Sequence, residues 1–388
     1  MWIRAVSLAL LLLLLFVPAG MADTTVDRVV EEQIDKLNLT DIQQFVDQVD
    51  GEMERFIPQL SVRQLVQDMR RGKLDLSFGK FLSGLVRYLF SEFLAHSYLL
   101  TQLLVLTLLC ALLNNLQDAF GSAGSGRAAY MVAYLVLITI ALSSFTAAIG
   151  TARDAIQQMV DFLHAILPVL LSLLAAMGGL ISASVMHPLV LVAVGIISNV
   201  MNNLVLPLVL FAAILTLVSQ ISERFKVDGL ANLFKDTCKI LIGLLLTAFT
   251  GFMALQGVAG AVADSVTLRT AKFVTGAFVP VVGGMMADAA EALVGTSLLL
   301  KNAVGIMGLL LIIAMAIYPM IKILSLVLIY RLVGALAQPF GDNQIAEVLD
   351  SLGNMLLMVF AAVASVGLAF FLAISFIVGI GNVTVMMR

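Results

Sequence analysis

The sequence predicts an all-α, polytopic integral membrane protein with a small exported helical domain. Of its 388 residues, 61% are hydrophobic and only 12% are charged, and the mean hydropathy is +1.05. Soluble globular domains carry about 25% charged residues. The charges are also unevenly distributed, because residues 23–95 alone hold nine Lys and Arg and thirteen Asp and Glu. We therefore divide the chain into a polar N-terminal domain and an apolar membrane domain.

The first residues are typical of a signal peptide. Arg4 precedes an apolar run, and Gly20-Met21-Ala22 supplies the small residues that a signal peptidase recognises. We predict a signal peptide over residues 1–22 and export of the domain that follows. The alternative is an uncleaved first span, although the run is shorter than the about 20 residues that a bilayer crossing needs.

Residues 23–95 show helical periodicity, with apolar side chains three and four positions apart, as at Val26, Val29 and Val30. The last part, Phe78 to Ala95, is an amphipathic segment that leads into the membrane domain. A domain of this size buries only a modest core. We therefore expect its apolar faces to pack on the membrane, on another copy or on another protein, and we predict binding to another component of the same complex; a solvated cap without a partner is the alternative.

Long apolar runs separated by short polar connectors make up the membrane domain. From Phe162 to Ser222, 61 consecutive residues contain no Asp, Glu, Lys or Arg. This length fits two helices, and we predict a break between them near Met186-His187-Pro188, because proline disrupts a helix interior. The other predicted spans are Ser97–Leu116 and Ala128–Gly150, both within residues 96–160, and Ile240–Ala263, Asn302–Tyr330 and Ser351–Met387.

An internal duplication is predicted within the membrane domain. Pro168 and Pro207 recur as Pro280 and Pro319, both at an offset of 112 residues. Chance alignment of apolar sequence is the alternative. Two topologies follow: three-span copies would be inverted, whereas copies that begin with a re-entrant segment would run parallel. The two predicted repeats are residues 161–263 and residues 264–388.

The connector 222–239 favours the re-entrant topology. It carries four Lys and Arg, and such connectors lie in the cytoplasm by the positive-inside rule. With an exported N-terminus, only re-entrant segments place this connector inside. Its Leu230, Leu233 and Phe234 form a short apolar stripe between charged residues, which suits the docking of a cytoplasmic motor.

The stretch 264–302 is the predicted functional surface, because it places charges within apolar sequence. An Asp, Lys or Arg at the bilayer centre costs about 2.5–3.5 kcal/mol, so these side chains should line buried or wet space. Asp288 and Glu291 are three residues apart on one helical face and are the best candidates for a conducting role. The alternatives are an interfacial surface pair for these acids and an ordinary loop for the basic residues. The candidates are Asp264, Arg269, Lys272, Asp288, Glu291 and Lys301.

Several function classes are not supported by any motif. The sequence contains no glycine-rich phosphate loop, nucleophile elbow or HExxH motif, so we expect no enzymatic activity and no cofactor. Cys110 and Cys238 have no metal-ligand spacing and are predicted to be small buried hydrophobes. The three histidines lie near the ends of separate apolar runs, which argues against a shared metal site. A net charge of −3 leaves no basic surface for nucleic acid.

Several long motifs resemble the stage III sporulation protein AE family of endospore-forming bacteria. They include PVVGGMMADAAEALVGTSLLLKNAVG at 280–305, ALAQPFGD at 335–342 and NLQDAF at 115–120. The resemblance extends through nearly the whole chain. It implies a polytopic protein of the mother-cell membrane around the forespore, and it implies no catalytic residues.

The same resemblance implies partners. These are the other products of the stage III sporulation operon, which include a relative of secretion ATPases, and a partner in the forespore membrane. Together they would form a channel or feeding apparatus between the two cells, required after engulfment. Two alternatives stay open: a permease-like transporter of a small solute, and a non-conducting scaffold of the complex.

Overall fold

The computed structural model describes residues 78–120, 125–221, 226–278 and 283–386, and these residues form helices and no strand. The predicted signal peptide and residues 23–77 of the predicted exported domain lie outside the described residues. A five-residue π-helix, Met201–Val205, joins α4 to α5, and a short 3₁₀ helix, Gln338–Phe340, precedes α8. The α-helices are α1 Phe78–Ala95, α2 Ser97–Phe120, α3 Ser125–Ala176, α4 Leu180–Val200, α5 Leu206–Ile221, α6 Asp228–Phe278, α7 Gly283–Ala337 and α8 Asn343–Met386.

Six helical stretches among the described residues are long and apolar enough to cross a membrane. They confirm the prediction of an all-α polytopic membrane protein. The stretches are Ser97–Leu116, Gly126–Ala176, Leu180–Gln220, Asp228–Asp264, Val294–Phe340 and Asn343–Ile380.

The helix α3 continues where the sequence predicted the end of a span. Its 52 residues run through Gly150 and through the polar segment TARDAIQQMVD at 151–161 to Ala176. That segment contains no proline or glycine and is rich in good helix formers such as Ala, Arg, Gln and Met. A rise of 1.5 Å per residue makes α3 roughly 78 Å long, against a hydrocarbon core of about 30 Å. The helix therefore does not end at Gly150, and the limit of the membrane span there stays a prediction.

The predicted break near Met186-His187-Pro188 is wrong. The chain turns instead at Met177–Gly179, and Pro188 lies inside α4. Gly178 has φ 94°, a left-handed conformation that glycine adopts without a Cβ clash. The N–H of Gly179 then donates to the carbonyl of Leu174 at 3.0 Å, which closes the end of α3. Glycine, rather than proline, sets this helix boundary.

Another proline produces the π-helix. The N–H of Leu206 donates to the carbonyl of Met201, five residues earlier. Pro207 has no N–H, so it cannot make the next bond in this series, to the carbonyl of Asn202. A side chain replaces it, because Nη2 of Arg153 on α3 donates to that carbonyl at 3.4 Å. This contact attaches the middle of α3 to the π-helix.

The core lies where α7 packs between α3 and α8. Tyr330 on α7 is fully buried, and its hydroxyl donates to the carbonyl of Ala141 on α3 at 2.6 Å. Farther along the bundle, Gly367 on α8 lies against Ala316 on α7. At the N-terminus of α8, the buried Asp342 accepts hydrogen bonds from the Tyr130 hydroxyl and from the N–H of Ile345. These contacts align α3, α7 and α8 along most of their length.

The helix α1 packs against the membrane domain. The rings of Tyr88 on α1 and Tyr318 on α7 stack with centroids 5.4 Å apart. The Tyr88 hydroxyl donates to Glu92 at 2.8 Å. Burial and the hydrogen bonds to Tyr318 and Glu92 raise the pKa of Tyr88 well above its usual value. The amphipathic segment thus contacts the spanning helices, and the domain boundary at residue 95 stays a prediction.

The two predicted repeats contain the same order of elements. In the first, the end of α3 is followed by the α4–α5 stretch and then by α6; in the second, the end of α6 is followed by α7 and α8. Residues 228–239 of the predicted connector, which include Lys235 and Lys239, belong to α6. The duplication and the re-entrant topology stay predictions. The predicted burial of Cys110 and Cys238 is confirmed, since both thiols are free and buried.

Candidate functional site

Within the predicted functional stretch 264–302, residues 264–278 form the end of α6 and residues 283–302 form the beginning of α7. Arg269 and Lys272 lie in α6, whereas Asp288 and Glu291 lie three residues apart in α7. The side chains of these four residues are outside the part that the structure describes, so their conducting role stays a prediction. Asp264 and Lys301, the two ends of the stretch, are described.

Asp264 caps the N-terminus of α4 from the neighbouring helix α6. Its side chain is 1% exposed. Oδ1 accepts a hydrogen bond from the N–H of Ile181 at 3.0 Å, and both carboxylate oxygens lie 3.3 Å from the N–H of Ser182. The first N–H groups of a helix have no partner within it, and a negative charge is stabilised there. Asp264 therefore holds α4 to α6 just beyond the glycine turn.

Lys301 is a fully buried cation on α7. Its Nζ donates to the carbonyl of Val378 on α8 at 2.8 Å. One helical turn along α7, Gly305 allows close approach of the two helices, because a Cβ there would overlap the side chain of Val378. Among the described residues, no carboxylate forms a salt bridge with Lys301. The contact to Val378 therefore joins α7 to α8 through a buried charge.

Asp264 and Lys301 lie at the same end of the bundle but have separate partners. Position 260 on α6 faces Ser182 at the start of α4, and position 257 faces Ile380 of α8. The end of α8 thus lies beside both α6 and α7. The described contacts place Asp264 and Lys301 in one region, and each of the two side chains joins its own helix to a neighbouring helix.

The sequence interpretation missed a long polar face on α3, which we call the α3 stripe. It comprises the exposed residues of α3 beyond position 138, and no large hydrophobic side chain is among them. Their spacing of three and four keeps them along one side of the helix. They are Thr139, Ser143, Thr146, Ala147, Arg153, Asp154, Gln157, Gln158, Asp161, His164, Pro168, Ser172 and Ala176.

Charges of both signs lie in the middle of the α3 stripe. Arg153 donates to the carbonyl of Asn202, as described above. Gln157 Nε2 donates to Asp161 Oδ1 at 2.8 Å. The sequence analysis ended one span at Gly150 and began the next apolar run at Phe162, so it assigned these side chains to neither. The signal that reveals them is the helical spacing of small and polar residues on both sides of that segment.

No metal centre is assembled in the described part of the chain, where no three His, Cys, Asp or Glu side chains come together. His164 lies on the α3 stripe, His187 is exposed on α4, and His96 lies 3.8 Å from Glu92 on α1. His96 lies in the turn between α1 and α2, so the three histidines are in different parts of the chain with different neighbours. The described residues offer polar surface and buried helix contacts.

Comparison with known proteins identifies the family. A family model of stage III sporulation protein AE matches residues 60–381. The chain is 40% identical over 364 residues to the stage III sporulation protein AE of Bacillus subtilis (strain 168), an alignment that covers 94% of this chain and 91% of that relative. No solved structure matches the chain significantly. The chain, a multi-pass membrane protein with a role in sporulation, therefore belongs to the stage III sporulation protein AE family.

Proposed function

We propose that the protein is a membrane component of a conduit between the mother cell and the forespore, required after engulfment. Its place would be the mother-cell membrane that surrounds the forespore. Membership of the sporulation family and the six candidate spans support this proposal. The observation that carries it is the α3 stripe, a polar surface along a helix of a membrane protein.

The length of the α3 stripe is the first argument for a conduit. From Thr139 to Ala176 it extends for roughly 56 Å along the helix, more than the hydrocarbon thickness of about 30 Å. A pair of charged residues at one membrane interface would occupy only one or two turns of a helix. A face that remains free of large apolar side chains over this distance suits a path that crosses the membrane.

The charges are the second argument. Arg153, Asp154 and Asp161 are all exposed on the α3 stripe. Each would cost about 2.5–3.5 kcal/mol at the centre of a lipid-facing helix. Polar and ionisable residues in membrane segments ordinarily face water-filled cavities or protein. A wet path along α3 gives these side chains the environment they require.

The proposed role is non-catalytic and depends on partners. These would be other products of the stage III sporulation operon, a forespore-membrane protein and a cytoplasmic ATPase. Leu230 and Leu233 at the start of α6 are 44% and 59% exposed, as expected of a docking surface, whereas Phe234 packs against the core. Of the three apolar side chains predicted to dock a motor, two therefore remain available to a partner.

The test makes the α3 stripe apolar without disturbing the core. We expect Asp161→Leu combined with Ser172→Leu to leave the protein level unchanged, because both side chains are exposed, while the number of heat-resistant spores falls sharply. The matched control is Val192→Leu, an apolar exchange on the exposed face of α4. Normal sporulation of the doubly substituted strain at a normal protein level would contradict the proposal.

The acids of the central stretch give a second test. If Asp288 and Glu291 line the conduit, replacing both with their amides should impair sporulation while the protein accumulates and assembles normally. A buried ion pair predicts a lower protein level instead. A variant that accumulates, assembles and sporulates like the parent would favour a scaffold at this stretch.

A further inference from the structure

The register between α3 and α4 is fixed at two points. The turn Met177–Gly179 joins their ends, and Arg153 contacts the carbonyl of Asn202 at the other end of the pair. Antiparallel helices with the same rise then place His164 at about the height of Val192, and Ser172 at about the height of Val185. Residues on these two helices can therefore be compared at one height in the bundle.

The register between α4 and α6 is fixed in the same way. Position 260 approaches Ser182, and the thiol of Cys238 lies 3.7 Å from the carbonyl of Val205 beyond the other end of α4. Leu255 is thereby level with His187, and through α4 with Pro168 on the α3 stripe. Three helices thus present outer surfaces over the same range of heights.

These surfaces differ in chemistry at the same height. Val192 on α4 is 62% exposed and Leu255 on α6 is 75% exposed. On α3, the exposed residues at this height are His164, Pro168 and Ser172. At this height α6 is strongly apolar and α4 exposes large apolar side chains beside His187, whereas the α3 stripe has no large hydrophobic side chain.

A uniform environment fails to explain both surfaces. Lipid on all sides would leave the charged groups of Arg153, Asp154 and Asp161 in hydrocarbon. Water on all sides would leave the large side chains of α4 and α6 unburied, and contiguous apolar surface of this kind is rare in soluble proteins. The bundle therefore requires lipid at α4 and α6 and a polar environment at α3.

We propose that copies of this chain assemble into a closed ring, with the α3 stripes turned toward a shared wet centre and the α4 and α6 faces turned toward lipid. This inference rests on the proposed function and names the partner that completes the path, since one helix face encloses nothing by itself. A second copy suits the stripe because it carries both Arg153 and the acids Asp154 and Asp161, so identical faces can offset each other's charge. Most homo-oligomers close by rotational symmetry.

The test is cysteine cross-linking between two differently tagged full-length chains produced together in sporulating cells. The parent has Cys110→Ala and Cys238→Ala, which removes the native thiols. Ser143→Cys and Ser172→Cys report on the α3 stripe, and Leu255→Cys is the control at a matching height. Bismaleimides of short and long span are added to isolated membranes, and each tag is probed after denaturing purification of the other.

Covalent dimers that carry both tags are expected from one or both stripe positions, with at most background yield from Leu255→Cys. Dimers from Leu255→Cys alone would overturn the proposal by placing the interface on α6. Adducts of the stripe with a different protein only, or no adduct with either reagent, would also overturn it.

Failure of the ring and failure of the conduit are distinguishable. If the stripe cross-links between copies but the Asp161→Leu, Ser172→Leu strain sporulates normally, the ring stands and the conduit fails. If that strain fails to sporulate and the stripe never cross-links between copies, the conduit stands and a partner other than a second copy completes it.

Discussion

Replacing Asp264 tests how the glycine turn and the start of α4 are held. Asp264→Ala removes the acceptor for the N–H groups of Ile181 and Ser182 in a site that is 1% exposed. Loss of an N-cap acceptor costs about 0.5–2 kcal/mol, and each buried donor left unpaired costs about 1–3 kcal/mol. Because these contributions overlap, we expect a loss of about 2–4 kcal/mol in the free energy of unfolding.

The graded variant is Asp264→Asn. The amide oxygen still accepts from both N–H groups but carries no charge, so we expect only about 1 kcal/mol of destabilisation, from the lost interaction with the helix dipole. The control is Asp236→Ala on the same helix, whose carboxylate is 65% exposed and pairs with Lys239. Surface pairs of this kind contribute about 0–1 kcal/mol.

The assay is thermal unfolding of the purified protein in one detergent, with the protein level in cells as a second readout. The expected order of stability is parent, then Asp236→Ala, Asp264→Asn and, lowest, Asp264→Ala. Equal melting temperatures for Asp264→Ala and the parent would refute the capping role.

Three further predictions concern helix contacts and are measured by the same unfolding assay. Gly367→Ala should lower the free energy of unfolding by about 1–3 kcal/mol, since its Cβ would lie 2.8 Å from that of Ala316. The control Gly379→Ala on the same helix meets nothing within 4 Å and should be neutral or stabilising. Equal effects of the two substitutions would contradict this packing. Arg153→Ala should lower the free energy of unfolding by about 1–2 kcal/mol in the parent but by under about 0.5 kcal/mol in a Pro207→Ala background. In that background the restored N–H of residue 207 can donate to the carbonyl that Arg153 now contacts. An equal loss in both backgrounds would count against this account of the π-helix. Lys301→Met should leave the free energy of unfolding nearly unchanged or raise it, because it removes a buried charge, whereas Lys301→Glu should lower it by at least about 3 kcal/mol. A less stable Lys301→Met than Lys301→Glu would disprove the burial of this cation.

The sequence predicted the features that depend on composition and periodicity. The excess of apolar residues and the length of the runs indicated a polytopic helical membrane protein, and the spacing in Phe78 to Ala95 indicated the helix α1 that the structure contains. The cysteines were correctly predicted to be buried, because neither has the spacing of a ligand or lies in polar sequence.

Helix boundaries were less predictable because proline and glycine act through context. Pro168, Pro188 and Pro319 all lie inside helices, and a membrane helix tolerates proline where other groups satisfy the backbone atoms that it frees. The chain turns at Gly178 instead. Local sequence does not show which of these residues tertiary packing will use as a break.

The structure places two of the candidate site residues, and the role of all six in a conduit stays a prediction. Sequence drew attention to Asp264 and Lys301 as charges in apolar surroundings, and the structure shows that both are buried and that each contacts the backbone of another helix. Those partners are distant in sequence and could not be inferred from spacing. The α3 stripe was missed because its charged middle resembles a connector, and only the continuous helix shows that it belongs to one face.

The most direct test of the central claim is the water accessibility of the α3 stripe within the membrane. In the variant without native cysteines, single cysteines at Ser143, Asp161 and Ser172 would be compared with cysteines at Val192 and Leu255, using a charged, membrane-impermeant maleimide on opened membrane vesicles. The account predicts rapid labelling of the three stripe positions and slow labelling of the two others. Rapid labelling at Val192 and Leu255 with protection along α3 would contradict it.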